Sequence, residues 1–288
     1  MNLEEQSSRM FTFVFKMFSE GSATLPRGGI GAVTKQLQGM ATRQGVDIRV
    51  GQAVSEISKN KKGVGYIIKM ADGKSVIEAD SVIVATDGKI AQKLVSQIEG
   101  LEPIAQFPET KQRCVGCLYY SFEGTAPVED PILILNGCGN ERGTAANPVN
   151  NVCFPSVVTE GYAPKGSQLC SVTVLKDAME SYKGKEEELD KAVRKQLGTW
   201  FPDYKDDILN KWELKKIYYI PNAQPSQLRS PFPANANGGR KSNEFLGTEL
   251  PAGLFVCGDH MATATLNGAL ESGVNAGKAA AAAVMNSK

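Results

Sequence analysis

The chain is poor in the residues from which most metal and redox-thiol sites are built. Its 288 residues include one histidine, His260. The six cysteines are scattered at 114, 117, 138, 153, 170 and 257, and only Cys114 and Cys117 have a motif spacing. They fall in a strand-like run, 113–122, where residues three apart face opposite sides of a sheet. With no second pair and no histidine cluster, a zinc site or thioredoxin-type motif is disfavoured, and the cysteines read as buried reduced thiols. Charge of one sign is also absent: Lys and Arg number 32, Asp and Glu 31. That balance excludes a nucleic-acid footprint and a polybasic membrane patch. No apolar run reaches the ~18 residues a spanning helix needs, and the alanine-rich run 279–284 is the end of a helix. Met1-Asn2-Leu3-Glu4-Glu5 is neither a signal nor a transit peptide. The expectation is an intracellular soluble protein, or a chain without its targeting segment.

What is present is concentrated near the C-terminus. Leu254 to Cys257 form a short apolar run without charge, as in a buried strand, and Gly258-Asp259 ends it. From Leu266 onward Ala269, Leu270, Gly273, Val274, Gly277, Ala280, Ala281 and Val284 recur at helical spacing. Thr265 or Asn267 can cap the helix. Gly268, Gly273 and Gly277 leave little side chain between helix and neighbour, so backbone or a flat ligand can approach. A strand, a turn and a helix N-terminus make an anion or cofactor site, or equally a packed α/β unit whose glycines serve close packing.

Elsewhere, residues 3–19 predict a helix with an aromatic-rich stripe (Met10, Phe11, Val14, Phe15, Phe18), of the kind that forms a core or domain interface. Gly29-Ile30-Gly31 resembles a dinucleotide loop, but Thr34 follows where Gly or Ala belongs and no strand precedes it, so it is not a Rossmann signature. A helix runs from there to about 44. Residues 46–57 predict a short β pair. Residues 64–70 and 74–78 predict strands around the turn Asp72-Gly73. Residues 80–88 give a buried strand ending in a turn, and 89–98 a helix. From 101 to 250, strands dominate (112–122, 131–135, 151–155, 169–175, 212–220), with a charged helix at 185–197. Residues 231–246 read as a mobile loop.

The C-terminal motif, Gly258-Asp259 followed by Leu266 to Gly273, resembles the FAD-binding motif of the flavin-containing amine oxidase and phytoene desaturase-like superfamily. The resemblance covers nearly the whole chain and implies an α/β with α+β fold. An incomplete FAD-binding Rossmann-like domain (1–100 and 251–288) accompanies a substrate domain with a mixed or antiparallel sheet (101–250). It puts Gly258 and Asp259 at the ribityl-pyrophosphate, and Leu266, Asn267, Gly268 and Ala269 beside the isoalloxazine. Val54 holds the adenine through its backbone, and Ala85-Thr86 is the strand end that approaches the dinucleotide. Asp87 stands where many relatives have glycine, an unfavourable neighbour for a pyrophosphate. Tyr218 and Tyr219 resemble the aromatic substrate walls of amine oxidases; strand alternation lets at most one of them point inward. His260 is either a polar or proton-transferring neighbour of the flavin or a turn residue bonded to backbone. The activity implied is oxidation of a C–N or C–C bond of a small hydrophobic or amine-bearing molecule by hydride transfer to flavin, and plant relatives imply a plastid.

The family's first βαβ unit, with its Gly-x-Gly-x-x-Gly loop, is not found in these residues. Losing its two or three charged hydrogen bonds would cost on the order of 4–7 kcal/mol, a thousandfold or more in affinity. It would also leave an apolar sheet edge open to a partner chain or to self-association. Two expectations stand side by side: a C-terminal portion of a longer oxidoreductase, or a non-catalytic, truncated member that has lost FAD and serves as a binding or scaffold protein.

Overall fold

The computed structural model describes residues 8–61, 63–106, 112–226 and 241–286. The helices are α1 (Ser8–Glu20), α2 (Gly31–Arg43), α3 (Gly88–Val95), α4 (Glu102–Gln106), α5 (Pro155–Val158), α6 (Lys176–Ser181), α7 (Glu186–Trp200), α8 (Lys205–Asn210) and α9 (Leu266–Asn286). The strands are β1 (Val54–Lys59), β2 (Tyr66–Met70), β3 (Val76–Ala79), β4 (Val82–Val84), β5 (Gln112–Glu123), β6 (Ile134–Leu135), β7 (Val149–Cys153), β8 (Ser167–Leu175), β9 (Glu213–Pro225), β10 (Glu244–Phe245), β11 (Thr248–Glu249) and β12 (Leu254–Val256). This is the mixed α/β architecture expected from the sequence. The chain forms two compact units: the described residues of Met1–Gly21, Arg49–Gln112 and Gln224–Lys288, and those of Ser22–Ile48 and Arg113–Ala223. That division differs from the expected domain boundaries at residues 22–48 and at the described residues of 101–112 and 224–250.

In the first unit, β1, β2 and β3 form an antiparallel meander. Its β2–β3 turn closes because Asp72 Oδ1 accepts from the backbone N–H of Lys74 and Ser75 at 2.8 and 2.9 Å, while Gly73 supplies a φ of 70°. Beside it, β4 and β12 pair in parallel. β12 is apolar throughout because both its faces are covered. Leu254 and Val256 join a core with Val84, Val95, Ile98 and Ile104, while Phe255 and Cys257 pack on Ala276 of α9. Gly268, Ser272 and Ala276, four residues apart, are the buried positions of α9. Only small residues let that helix lie close to the strand.

Three expectations are corrected. Residues 46–53 are not a strand: Gly51 adopts φ 72°, which interrupts extended backbone before β1. The stripe on α1 is not a buried interface: Met10 is buried, but Phe11, Phe15 and Phe18 are 65%, 65% and 74% exposed, and the first two rings stack on each other at 5.5 Å. Phe13 and Met17 add further apolar faces, so no single buried stripe can hold them all. The loop expected at 231–246 lies in part outside the described residues, yet its described end forms β10, whose Phe245 is buried in the core.

The second unit is built on the sheet β6-β7-β8-β5-β9. β5 and β8 run antiparallel, with Leu118 opposite Val172 and Tyr120 opposite Cys170. The pleat sends Leu118, Tyr120, Phe122, Cys170, Val172 and Val174 into a core with Leu189, Val193 and Leu197 of α7. Gly116 lies on that face because Met179 of α6 fills the space a side chain would take. Trp212 stacks on Phe122, centroids 4.2 Å apart. Arg194 braces the unit. Its Nε donates to both Asp190 oxygens at 2.9 Å, its Nη1 to the carbonyls of Ile208 and Trp212 at 2.7 and 2.9 Å, and its guanidinium lies over the Tyr120 ring. The Tyr120 hydroxyl donates to Asp190 at 2.8 Å, and burial first, then the Asp190 charge, pushes the phenol far up.

Candidate functional site

Of the residues expected to hold the cofactor, all but Val54 lie where β4 and β12 end or at the start of α9. Leu254 lies opposite Val82 and Val256 opposite Val84, so both strands present their carboxyl ends together, where ligands of open α/β sheets bind. The Cys257 N–H continues the ladder to the Val84 carbonyl at 3.0 Å. Beyond it the chain turns at Gly258, with φ 146° and ψ 174°, a conformation closed to side-chain-bearing residues. A Cβ at Gly258 would lie 2.6 Å from the His260 ring and 3.3 Å from the Thr86 carbonyl. The Gly258 N–H donates to Ser272 Oγ at 2.7 Å, which ties the turn to α9. Residues 259–261 then form one turn of 3-10 helix, closed by the Met261 N–H on the Gly258 carbonyl at 3.0 Å.

Asp259 is half-buried. Burial first, and the neighbouring charge of Asp87 in addition, raise its carboxyl above the usual range, against hydrogen bonds that lower it. His260 Nδ1 lies 3.9 Å from Asp259 Oδ1, and its buried ring meets Phe245 edge-on at 5.8 Å. The His260 ring thus fills the space that a side chain at Gly258 would take. Asp87 is the N-cap of α3, with Oδ1 accepting from the N–H of Lys89 and Ile90 at 3.0 and 3.1 Å. A residue read from sequence only as an unfavourable substitution therefore has a local reason to be there.

α9 starts at the same end. Thr265 is its cap: Oγ1 accepts from the Gly268 N–H at 3.1 Å and its carbonyl from the Ala269 N–H at 3.0 Å. Gly268 sits against the Thr263 backbone, where a side chain would collide, while Gly273 and Gly277 face open space. Leu266 and Asn267 are exposed at the helix start. Ala85, Thr86, Gly258, Asp259 and 266–269 therefore belong to one rim. Val54 does not: it lies on edge strand β1, at an irregularity in the pairing with β2. Ser272 carried no expected role, although its place between Gly268 and Ala276, four residues from each, marks it as part of the packed face.

Tyr218 and Tyr219 lie on β9 of the second unit, about half exposed. Tyr218 meets Tyr119 edge-on at 5.9 Å, on the sheet face that also carries Cys117 and Ser171, with Cys117 Sγ 3.6 Å from Ser171 Oγ. The Tyr119 phenol is pushed up to about 12, by its bond to Cys117 first and by burial second. Tyr219 is bonded instead to Cys114, near Glu180 and Lys176 of α6. The alternation holds: Tyr218 and Tyr219 face opposite sides, as do Cys117 and Cys114. No group of His, Cys, Asp and Glu among the described residues could hold a metal ion, and no described helix is long and apolar enough to cross a membrane.

No functionally curated protein matches the chain. Solved structures do. An oxidoreductase from Methanosarcina mazei matches with TM-score 0.61 at 19% identity, over 88% of this chain and 55% of that one. A candidate protoporphyrinogen oxidase from Exiguobacterium sp. 255-15 matches with TM-score 0.61 at 14% identity, over 89% and 51%. A putrescine oxidase bound to putrescine matches with TM-score 0.55 at 14% identity, over 90% and 52%. These likenesses are of fold, and the chain spans about half the length of the structures it matches. The sequence itself matches the flavin-containing amine oxidoreductase family over residues 2–285. Because that match runs over nearly the whole chain, the chain belongs to the flavin-containing amine oxidoreductase family.

Proposed function

We propose that this chain carries the flavin-contacting and substrate-contacting residues of an FAD-dependent oxidoreductase. Its substrate is a small hydrophobic or amine-bearing molecule oxidised at a C–N or C–C bond by hydride transfer. The observation that carries this reading is the rim at the ends of β4 and β12. Gly258 and Gly268 are held tight by the chain itself, against the His260 ring and the Thr263 backbone, and exposed Leu266 and Asn267 leave the helix start open to a flat ligand. These residues fit the flavin ring and ribityl part. The phosphate part fits less well, because the glycine-rich run 28–31 that precedes α2 has no strand before it among the described residues and α3 begins under the carboxylate of Asp87.

A bound flavin would supply the hydride-accepting chemistry. The chain's own contribution is to hold and orient. Gly258, Asp259, Ala85 and Thr86 line the ribityl-pyrophosphate side, Leu266, Asn267, Gly268 and Ala269 the ring, and Val54 the adenine. Tyr218, with Tyr119, provides an aromatic surface for substrate; Tyr219 faces away from it. Among the described residues β4 pairs only with β12. Its second edge is available to a parallel strand, continuous with this chain or brought by a partner, that would complete the phosphate site. The test is the visible spectrum of the purified chain before and after incubation with excess FAD and desalting, backed by a fluorescence titration. Saturable uptake in the micromolar range or weaker is expected; no uptake up to about 1 mM, roughly −4 kcal/mol, would sink the reading.

A further inference from the structure

The parallel register of β4 and β12 has a consequence at the strand ends. Val84 lies opposite Val256, and both chains leave the ladder there: Asp87 follows Thr86 on one strand and Asp259 follows Gly258 on the other. The Cys257-to-Val84 hydrogen bond and the nearness of the Thr86 carbonyl to Gly258 carry this register past the strands proper. Neighbouring strands are about 4.8 Å apart, so the two carboxylates share one end of the pair, and the charge of Asp87 acts on Asp259. Asp87 cannot turn away without giving up its two bonds to the start of α3.

We propose that Asp87 is a specificity-determining residue of the flavin site: beside Asp259 it makes the strand end favour the uncharged hydroxyls of a ribityl chain over a phosphate, and it ties uptake of phosphorylated flavins to pH. This deepens the flavin reading above and rests on it. A carboxylate accepts hydrogen bonds from hydroxyls, whereas an ionised phosphate brings acceptors and like charge. The charged or titratable groups packed about Asp259 are Asp87 from the start of α3, His260 from its own turn and the buried Cys257 thiol; α9 contributes the neutral Ser272 and the hairpin the Phe245 ring. Because the Asp259 carboxyl titrates above its ordinary range, raising the pH through that range adds a second negative charge to the rim. FMN and FAD are then repelled, and riboflavin is not.

The experiment measures binding of riboflavin, FMN and FAD to the wild-type chain and to Asp87→Asn by flavin fluorescence, at about pH 5 and about pH 8. Asn retains the helix cap. Asp87→Asn is expected to tighten FMN and FAD at the higher pH by about two- to fivefold, to leave riboflavin unchanged and to flatten the pH dependence. Equal changes for all three flavins, or none, overturn the proposal while leaving the flavin reading intact. Failure of every flavin to bind either protein overturns both. A flavin-free readout separates them further: the Asp259 carboxyl, followed by NMR, should titrate lower in Asp87→Asn, and an unmoved midpoint overturns the pairing whatever the ligand does.

Discussion

Replacing Gly258 by alanine puts the geometry of the rim to a direct energetic test. The backbone there holds φ 146°, ψ 174°, where an L-residue pays about 1–3 kcal/mol of strain. The new methyl would lie 2.6 Å from His260 Cε1 and 2.7 Å from Nδ1. The ring cannot swing clear, because it is buried against Phe245. Forcing an extra carbon into such a site costs a further ~1–3 kcal/mol. The sum, about 2–6 kcal/mol, corresponds to a melting temperature lower by roughly 4–20 °C for a chain of this size. Both tryptophans, Trp200 and Trp212, belong to the second unit, so far-UV circular dichroism and hydrogen exchange in β12 and α9 are the appropriate probes. Gly277→Ala is the control. It lies in the body of α9 with nothing within 4 Å of the added carbon, so it should stabilise by about 0.4–1 kcal/mol. If the two variants melt together, or Gly258→Ala shifts the midpoint by less than about 1 °C, the reasoning about this turn is wrong.

Arg194→Ala should cost about 3–5 kcal/mol in urea unfolding followed by Trp212 fluorescence, because it strands the Asp190 carboxylate in a largely buried site. Arg194→Lys should recover only part of that, since one ammonium cannot reproduce the fork that serves a carboxylate and two carbonyls. Asp259→Asn should raise the melting temperature at neutral pH and lose that advantage below about pH 4. The folded carboxyl titrates high, so the folded state binds the proton more tightly than the unfolded chain, and stability falls as pH rises through that window; asparagine removes the fall. In reaction with an aromatic disulfide reagent, exposed Cys138 should label first and Cys138→Ser should abolish the fast phase, because full burial holds Cys170 far above the ordinary thiol range and burial also raises Cys153. Fast labelling of Cys170 would contradict the packing of the second unit.

Much of the rim was legible in sequence because it depends on local chemistry. An uncharged run of Leu254 to Cys257 demands a strand covered on both faces and Gly258 demands a turn, but the bare helix face read from Gly268, Gly273 and Gly277 holds only at Gly268: Gly273 and Gly277 meet open space, and the packed face continues through Ser272 and Ala276. The Asp72-Gly73 turn was legible for the same reason. What escaped depends on partners far along the chain. Nothing in residues 80–88 tells that Asp87 leaves the same strand end as Asp259, because that is set by the pairing of strands about 170 residues apart. His260 could not be identified as the filler of the Gly258 turn without knowing the backbone path there. Phe11, Phe15 and Phe18 of α1 follow helical spacing, yet spacing says only that they share a face, not that anything covers it.

The central claim, that flavin binds at the ends of β4 and β12, is tested most directly by following the backbone amides of the labelled chain during a titration with FAD. The account predicts saturable shifts at Thr86, Gly258, Asp259 and residues 266–269, with the meander β1–β3 affected near Val54 and the body of α7 unmoved. Shifts confined to other parts of the chain, or none at about 1 mM FAD, would contradict it.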